Sequence, residues 1–277
     1  MAASASSYRR ALTSFVRRYA FVPRYGRDEE LSLVTADGVR LTGARLRGPA
    51  DAFATVVLVH GLVHSSRTPR IHGFARLLAG HVHVLVPELR GHGRSGGYCT
   101  LGRDEPLDVQ AAVAAAPDGL PVVTVGISLG GASALLHAGT FGGVAGVVAV
   151  SAPSRWAAWD TPATRRIRRY VTTPAGRQVM TWVLRTRVAA ALEGVPDSRQ
   201  VVAAIAPAFT IVVHDPADHY FGVEHALSLH EWANQPKDLW LMPGHGHGTD
   251  LLTPALARRL TDDLRRRLTP NPPRGAG

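Results

Sequence analysis

A serine stands between two glycines in Gly126-Ile127-Ser128-Leu129-Gly130, where an apolar run meets a helical pattern. A hydroxyl is a poor nucleophile until a base takes its proton. A tight strand-to-helix turn would hold Ser128 at its apex in a strained conformation. Glycines two residues to either side would avoid a collision there, and the helix start would favour negative charge. Two candidate bases, His245 and His247, lie in Pro243-Gly244-His245-Gly246-His247-Gly248. Two candidate carboxylates to orient the base, Asp215 and Asp218, follow the apolar run FTIVVH. A tetrahedral intermediate would need two backbone donors: the N–H of Leu129 and, from VVLVHGLVHSS, that of Leu62. His60 in that loop reads as a structural hydrogen-bonding residue. A metal at His245-x-His247 lacks an evident third ligand, and the chemistry calls for no cofactor.

The elements that must position these residues alternate. LSLVTA (31–36) and VRLTGARL (39–46) flank Asp37-Gly38 and read as a β-hairpin. Apolar strands follow at 54–61, 82–91, 121–128, 143–153, 209–215 and 237–243. Helical patterns fall at 69–80, about 104–116, 129–139, about 223–235 and about 254–268. This rhythm predicts a mostly parallel sheet with helices on both faces. It breaks between 154 and 206, a mostly helical stretch read as an inserted cap. The core is then 30–153 with 207–269, and 270–277 (PNPPRGAG) is a flexible tail.

The 277-residue chain is 45% hydrophobic and 19% charged, which suits one large folded domain. Cys99 is the sole cysteine, so no internal disulfide forms; a lone thiol suits a reducing, cytoplasmic compartment, and burial as a small hydrophobe is its expected role. The net charge is +10, with Lys237 the only lysine. No zinc-finger spacing, basic zipper or RNA signature accompanies it, so nucleic acid is not an expected partner. Leu12, Phe15, Val16 and Tyr19 fall at helical spacing among Arg9, Arg10, Arg17 and Arg18, giving residues 1–29 a basic amphipathic segment. Such a helix suits an anionic membrane surface or packing on its own domain, and its Ser/Arg bias also fits a transit peptide. Nine arginines face three acidic residues between Ala152 and Pro207, four of them in RRIRRY (165–170). Arginine forks onto phosphate or carboxylate, or forms a solvated helix surface. Arg90 and Arg94 are expected to brace loops.

Together, HGLVHSSR (60–67), ELRGHGRSGG (88–97), GISLGG (126–131), VVHDPAD (212–218) and PGHGHG (243–248) resemble the α/β-hydrolase superfamily over about residues 30–268. The first two are similar to its monoacylglycerol-lipase and serine-aminopeptidase-like branch. The resemblance implies the α/β-hydrolase fold, Ser128 as nucleophile and Leu62 and Leu129 at an oxyanion hole. It also selects Asp218 over Asp215 and His247 over His245. Glu88 stands where the family usually has Asp, in a structural loop. The run HD-P-A-D departs from the usual HG-x-x-D and keeps Asp215 a rival. The implied activity is hydrolysis of a small-molecule acyl substrate through an acyl-enzyme, with a carboxylic ester of an apolar acyl group first. A thioester, or acyl transfer or cyclisation by the same triad, is the alternative. Trp156, Trp159 and Trp182 would offer an apolar wall to the acyl chain.

Overall fold

The computed structural model describes residues 28–155 and 159–269. The N-terminal amphipathic segment up to residue 27 and the tail from 270 lie outside the described residues. Among the described residues eight strands form one sheet: β1 (Glu29–Val34), β2 (Arg40–Leu46), β3 (Thr55–Val59), β4 (His83–Pro87), β5 (Val122–Ile127), β6 (Gly146–Val150), β7 (Phe209–His214) and β8 (Lys237–Leu241). Their spatial order is β1-β2-β4-β3-β5-β6-β7-β8. β1 and β2 form the hairpin around Asp37-Gly38, with Val34 opposite Arg40, and β2 runs antiparallel to β4. All other pairs are parallel. This is the α/β-hydrolase fold expected from the sequence.

Burial on both faces explains the continuous apolar strands. Along β3, Val56 and Leu58 face one core, while Val57 and Val59 face the other, as the two-residue period of a strand requires. Helices α1 (Pro69–Leu78) and α8 (Pro254–Leu268) cover the first face through Ile71, Phe74, Leu260 and Leu264. Helices α2 (Glu105–Ala114), α3 (Leu129–Phe141) and α7 (Val223–Trp232) cover the second, through Val109, Leu135 and Leu229. Helix α3 is buried from Leu129 through Ala138, which explains its lack of a polar face.

The strand read as 82–91 ends at Pro87. Beyond it the backbone leaves the ladder: Leu89 N–H donates to His60 Nε2 at 3.0 Å and Arg90 N–H to Asp108 Oδ2 at 2.7 Å.

The segment between β6 and β7 is less uniformly helical than its sequence pattern predicts. Two short helices, α4 (Pro162–Thr172) and α5 (Pro174–Trp182), each start at a Thr-Pro pair. Thr161 and Thr173 accept from the N–H groups of Thr164 and Gly176, both at 3.1 Å, while each proline occupies a first-turn position that needs no donor. Residues 186–189 then run extended along the loop after β4. Cys99 N–H donates to Arg187 O at 2.7 Å, and Arg187 N–H to Gly91 O at 2.8 Å. Thr186 and Val188 are buried while Arg185 and Arg187 are not, an alternation that the high arginine content hides. Helix α6 (Ser198–Val201) and the 3-10 turn Val202–Ile205 return to the core against α3.

Candidate active site

The site forms where the sheet order reverses. From β3 the chain goes to β4 on one side and then to β5 on the other, so the loops after β3 and β5 diverge and leave a crevice at the strand ends. Ser128 follows β5 directly and caps α3 with φ 53° and ψ −115°. Such a conformation costs a non-glycine residue about 1–3 kcal/mol and persists only where the surroundings enforce it. They do so here: a Cβ on Gly126 would strike the Gly130 carbonyl, and one on Gly130 would strike that of Val59. The turn after β3 presses against the same elbow. A Cβ on Gly61 would lie 3.1 Å from Ile127 O and 3.3 Å from Ser128 Cβ. Leu62 is thereby brought beside Ser128, and Leu129, the first residue of α3, has an N–H with no partner within its helix.

His60 locks the turn. Its Nδ1–H donates to Gly61 O at 2.8 Å, and Nε2 accepts from Leu89 N–H. Burial, aided by neighbouring His92, holds its pKa well below the ordinary histidine value, so it stays neutral. Glu88 ties the adjoining loops. Its carboxylate accepts from Ser66 Oγ at 2.8 Å, and from Thr42 Oγ1 and Arg94 N–H, both at 2.9 Å. Arg90 is buried and forks onto Asp37 and Asp108, while Arg94 pairs with Glu30 on the surface at 2.7 Å. Cys99 is buried, and burial pushes its thiol well up, which leaves it an inert core group.

His247 Nε2 lies 3.1 Å from Ser128 Oγ, and its Nδ1 lies 2.7 Å from Asp218 Oδ2. The second oxygen of Asp218 accepts from the N–H groups of Tyr220 at 2.8 Å and Phe221 at 3.2 Å. Burial raises the Asp218 pKa, but His247 and these two donors outweigh it, so the group stays below the usual carboxylate range. The two aspartates thus do different things. Asp215 does not reach an imidazole: it accepts from the backbone N–H groups of His245 at 2.6 Å and Gly246 at 2.5 Å, and from Ala217 N–H at 2.8 Å. Burial pushes its pKa up and those donors bring it below its ordinary value. A second tie joins Gly248 N–H to Ser151 Oγ at 3.0 Å. His245 is exposed and is not among the residues around Ser128.

The crevice opens into a pocket of about 290 Å³ between Ser128 and helices α4 and α5. Its floor and most of its wall are apolar, including Leu101, Leu129, Ile167, Met180 and Leu184. Leu62 and Trp159 also line it. Trp182 corrects the expected tryptophan wall: it is 84% exposed and turned away, because α5 presents Met180 inward and Trp182 lies two residues on. Trp156 lies outside the described residues. Sequence reading does not single out Tyr220 and Phe221, whose rings pack on His247 with centroids 4.5 and 5.5 Å away. Their only signal is position, directly after Asp218 on the loop that carries the acid. Among the described residues no helix is long and apolar enough to cross a membrane.

The chain is similar to known proteins. The profile of the alpha/beta hydrolase family matches residues 56–275. The uncharacterized protein YfhR of Escherichia coli (strain K12) is 27% identical over 237 residues, which cover 80% of this chain and 76% of that protein. Among solved structures, the Pyrococcus furiosus esterase Pf2001 superposes with a TM-score of 0.71 at 21% identity, over 90% of this chain and 96% of that one. The α/β hydrolase GrgF from Penicillium sp. sh18 gives 0.68 at 18% identity, over 89% and 99%. The match to the family profile spans most of the chain, which therefore belongs to the alpha/beta hydrolase family.

Proposed function

We propose that the protein is a serine hydrolase that cleaves a carboxylic ester with an apolar acyl group through an acyl-enzyme. The observation that carries this reading is the unbroken chain Ser128–His247–Asp218, with links of 3.1 and 2.7 Å, opening onto an apolar pocket. Ser128 Oγ attacks the ester carbonyl carbon while its proton passes to His247 Nε2. Asp218 holds the imidazole through Nδ1–H and stabilises the positive charge that forms. The N–H groups of Leu129 and Leu62 receive the oxyanion. The bond between the carbonyl carbon and the alkoxy oxygen then breaks, and the imidazolium returns its proton to the leaving alcohol. Water, deprotonated by His247, cleaves the acyl-enzyme; one water is consumed, and one acid and one alcohol leave. Tyr220 and Phe221 keep the imidazole in plane with its two partners by packing on its ring.

The esterases among the structural neighbours are in keeping with this reading. The test is labelling with a fluorophosphonate, followed by peptide mapping, beside a panel of p-nitrophenyl esters of increasing acyl length. Label on Ser128 together with turnover of short and medium esters is expected. A protein that takes no label and turns over no ester would end the proposal.

A further inference from the structure

Among the described residues, the permanent charges on the pocket wall come from two arginines. Arg155 and Arg166 line it, and among the described residues no aspartate, glutamate or lysine does. Arg155 is offset by Asp160, 2.5 Å away, with both side chains about half exposed. Arg166 has no carboxylate partner among the described residues. Helical geometry explains why it, of the four arginines in RRIRRY, faces the pocket. Ala163, Arg166, Ile167 and Tyr170 stand at i, i+3, i+4 and i+7 on α4, and all four line the cavity. Arg165, Arg168 and Arg169 fall off that face, and Arg165 donates instead to the Asp160 carbonyl at 2.7 Å. Leu129 and Met180 are buried while Arg166 is exposed, so the pocket runs from an apolar floor to a cationic open end.

A wholly apolar ester would leave that guanidinium facing the pocket with water alone as its partner. Its planar fork matches the paired oxygens of a carboxylate or phosphate. We propose that Arg166 is a specificity-determining residue that receives an oxyanion, carboxylate or phosphate, carried by the acyl substrate at the end away from the scissile bond. The bond cleaved rests on the hydrolase reading above; the anion subsite does not.

The experiment compares the full chain with R166Q and R168Q on three substrates: neutral p-nitrophenyl butyrate, mono-p-nitrophenyl glutarate and butyryl-CoA. Arg166 is solvent-exposed, which limits its effect to about tenfold. R166Q lowers kcat/KM by that factor for an anionic substrate, through KM, and leaves the neutral ester within twofold. R168Q leaves all three within twofold. A loss confined to the glutarate identifies a carboxylate, and one confined to the thioester a phosphate. Equal effects of R166Q on all three substrates, or no effect, overturn the proposal. Calorimetric titration with monomethyl glutarate and with free CoA reads the subsite without bond cleavage. Binding weakened about tenfold in R166Q supports the subsite even where no ester is turned over, an outcome that sinks only the hydrolase reading. Binding that is equal in both proteins, or absent from both, removes the subsite even where esters are hydrolysed.

Discussion

The two walls of the pocket are built by opposite means. On the sheet side each candidate reacting group is over-determined. Ser128 is forced into positive φ by close backbone, His247 is held between Ser128 and Asp218, and its loop is tied by Asp215 and Ser151. On the opposite side, the expected cap, α4 and α5 offer an apolar inner face and an outer face crowded with arginine, with Trp182, Val183 and Val179 exposed. Buried hydrogen bonds fix atoms to tenths of an ångström, whereas apolar contact fixes only a volume. The sheet side should therefore govern kcat and the cap side KM.

The largest effect expected tests the first half of that contrast. Ser128→Ala should lower kcat by roughly three orders of magnitude or more while the far-UV circular dichroism stays unchanged. Relief of the backbone strain is small, since alanine has to adopt the same φ. Near-normal turnover by a folded Ser128→Ala protein would remove the sheet side from the chemistry.

Next come the two aspartates. Asp218→Asn should cost kcat about two to four orders of magnitude, because an amide cannot hold the imidazole in the required tautomer or stabilise its charge. Asp215→Asn should cost activity tenfold at most and stability about 1.5–3 kcal/mol, because it removes the charge from the hydrogen bonds that anchor the His245–Gly246 backbone. The pH dependence separates them further. The Asp215 pKa lies below its unfolded value, so its stabilisation is complete above the unfolded carboxylate range and is lost as pH falls through the folded pKa. The gap in Tm between wild type and Asp215→Asn should be full at pH 7 and close below about pH 4. A gap that does not change with pH would assign Asp215 a role other than an ionised anchor.

These contrasts also explain what the sequence makes legible. The elbow, the hairpin and the alternating strands are local: a Gly-x-Ser-x-Gly run, an Asp-Gly turn and periods of two or 3.6 residues carry their own geometry. The competition between Asp215 and Asp218 stays open at that level because both follow the same strand. Only the third dimension shows one carboxylate meeting an imidazole and the other meeting backbone N–H groups. The cap is read least well. Its arginines dominate any periodicity count, so the extended run around Thr186 and Val188 looks helical. The three tryptophans look equivalent although Trp159 lines the pocket and Trp182 does not.

Trp159 tests the cap side. It is partly buried against the cluster of Leu101, Val171 and Met180 and lines the pocket. Trp159→Ala should raise KM about fivefold for a medium-chain ester and less for an acetate, with kcat nearly constant, since it removes apolar contact made equally in ground and transition states. An equal fall in kcat at every acyl length would mean that the cap positions the reacting groups, and the division between the walls would collapse.

The smallest effect is expected at Trp182. It ends α5 at 84% exposure, beside Val179 and Val183 at 40% and 62%. A side chain that solvated has little burial to lose, so Trp182→Ser should leave Tm within about a degree and kcat/KM for a soluble ester within twofold, as ordinary surface substitutions do. The same variant sharpens the contrast within a single helix: Met180, two residues earlier, is 2% exposed and lines the pocket. Met180→Ala opens the floor and should cost about 2–5 kcal/mol of stability. Parallel measurement of both variants by thermal melts and ester kinetics decides whether α5 has one working face. A Trp182→Ser protein as impaired as Met180→Ala would mean that the helix rotates or closes during turnover, and that its outer face takes part in binding.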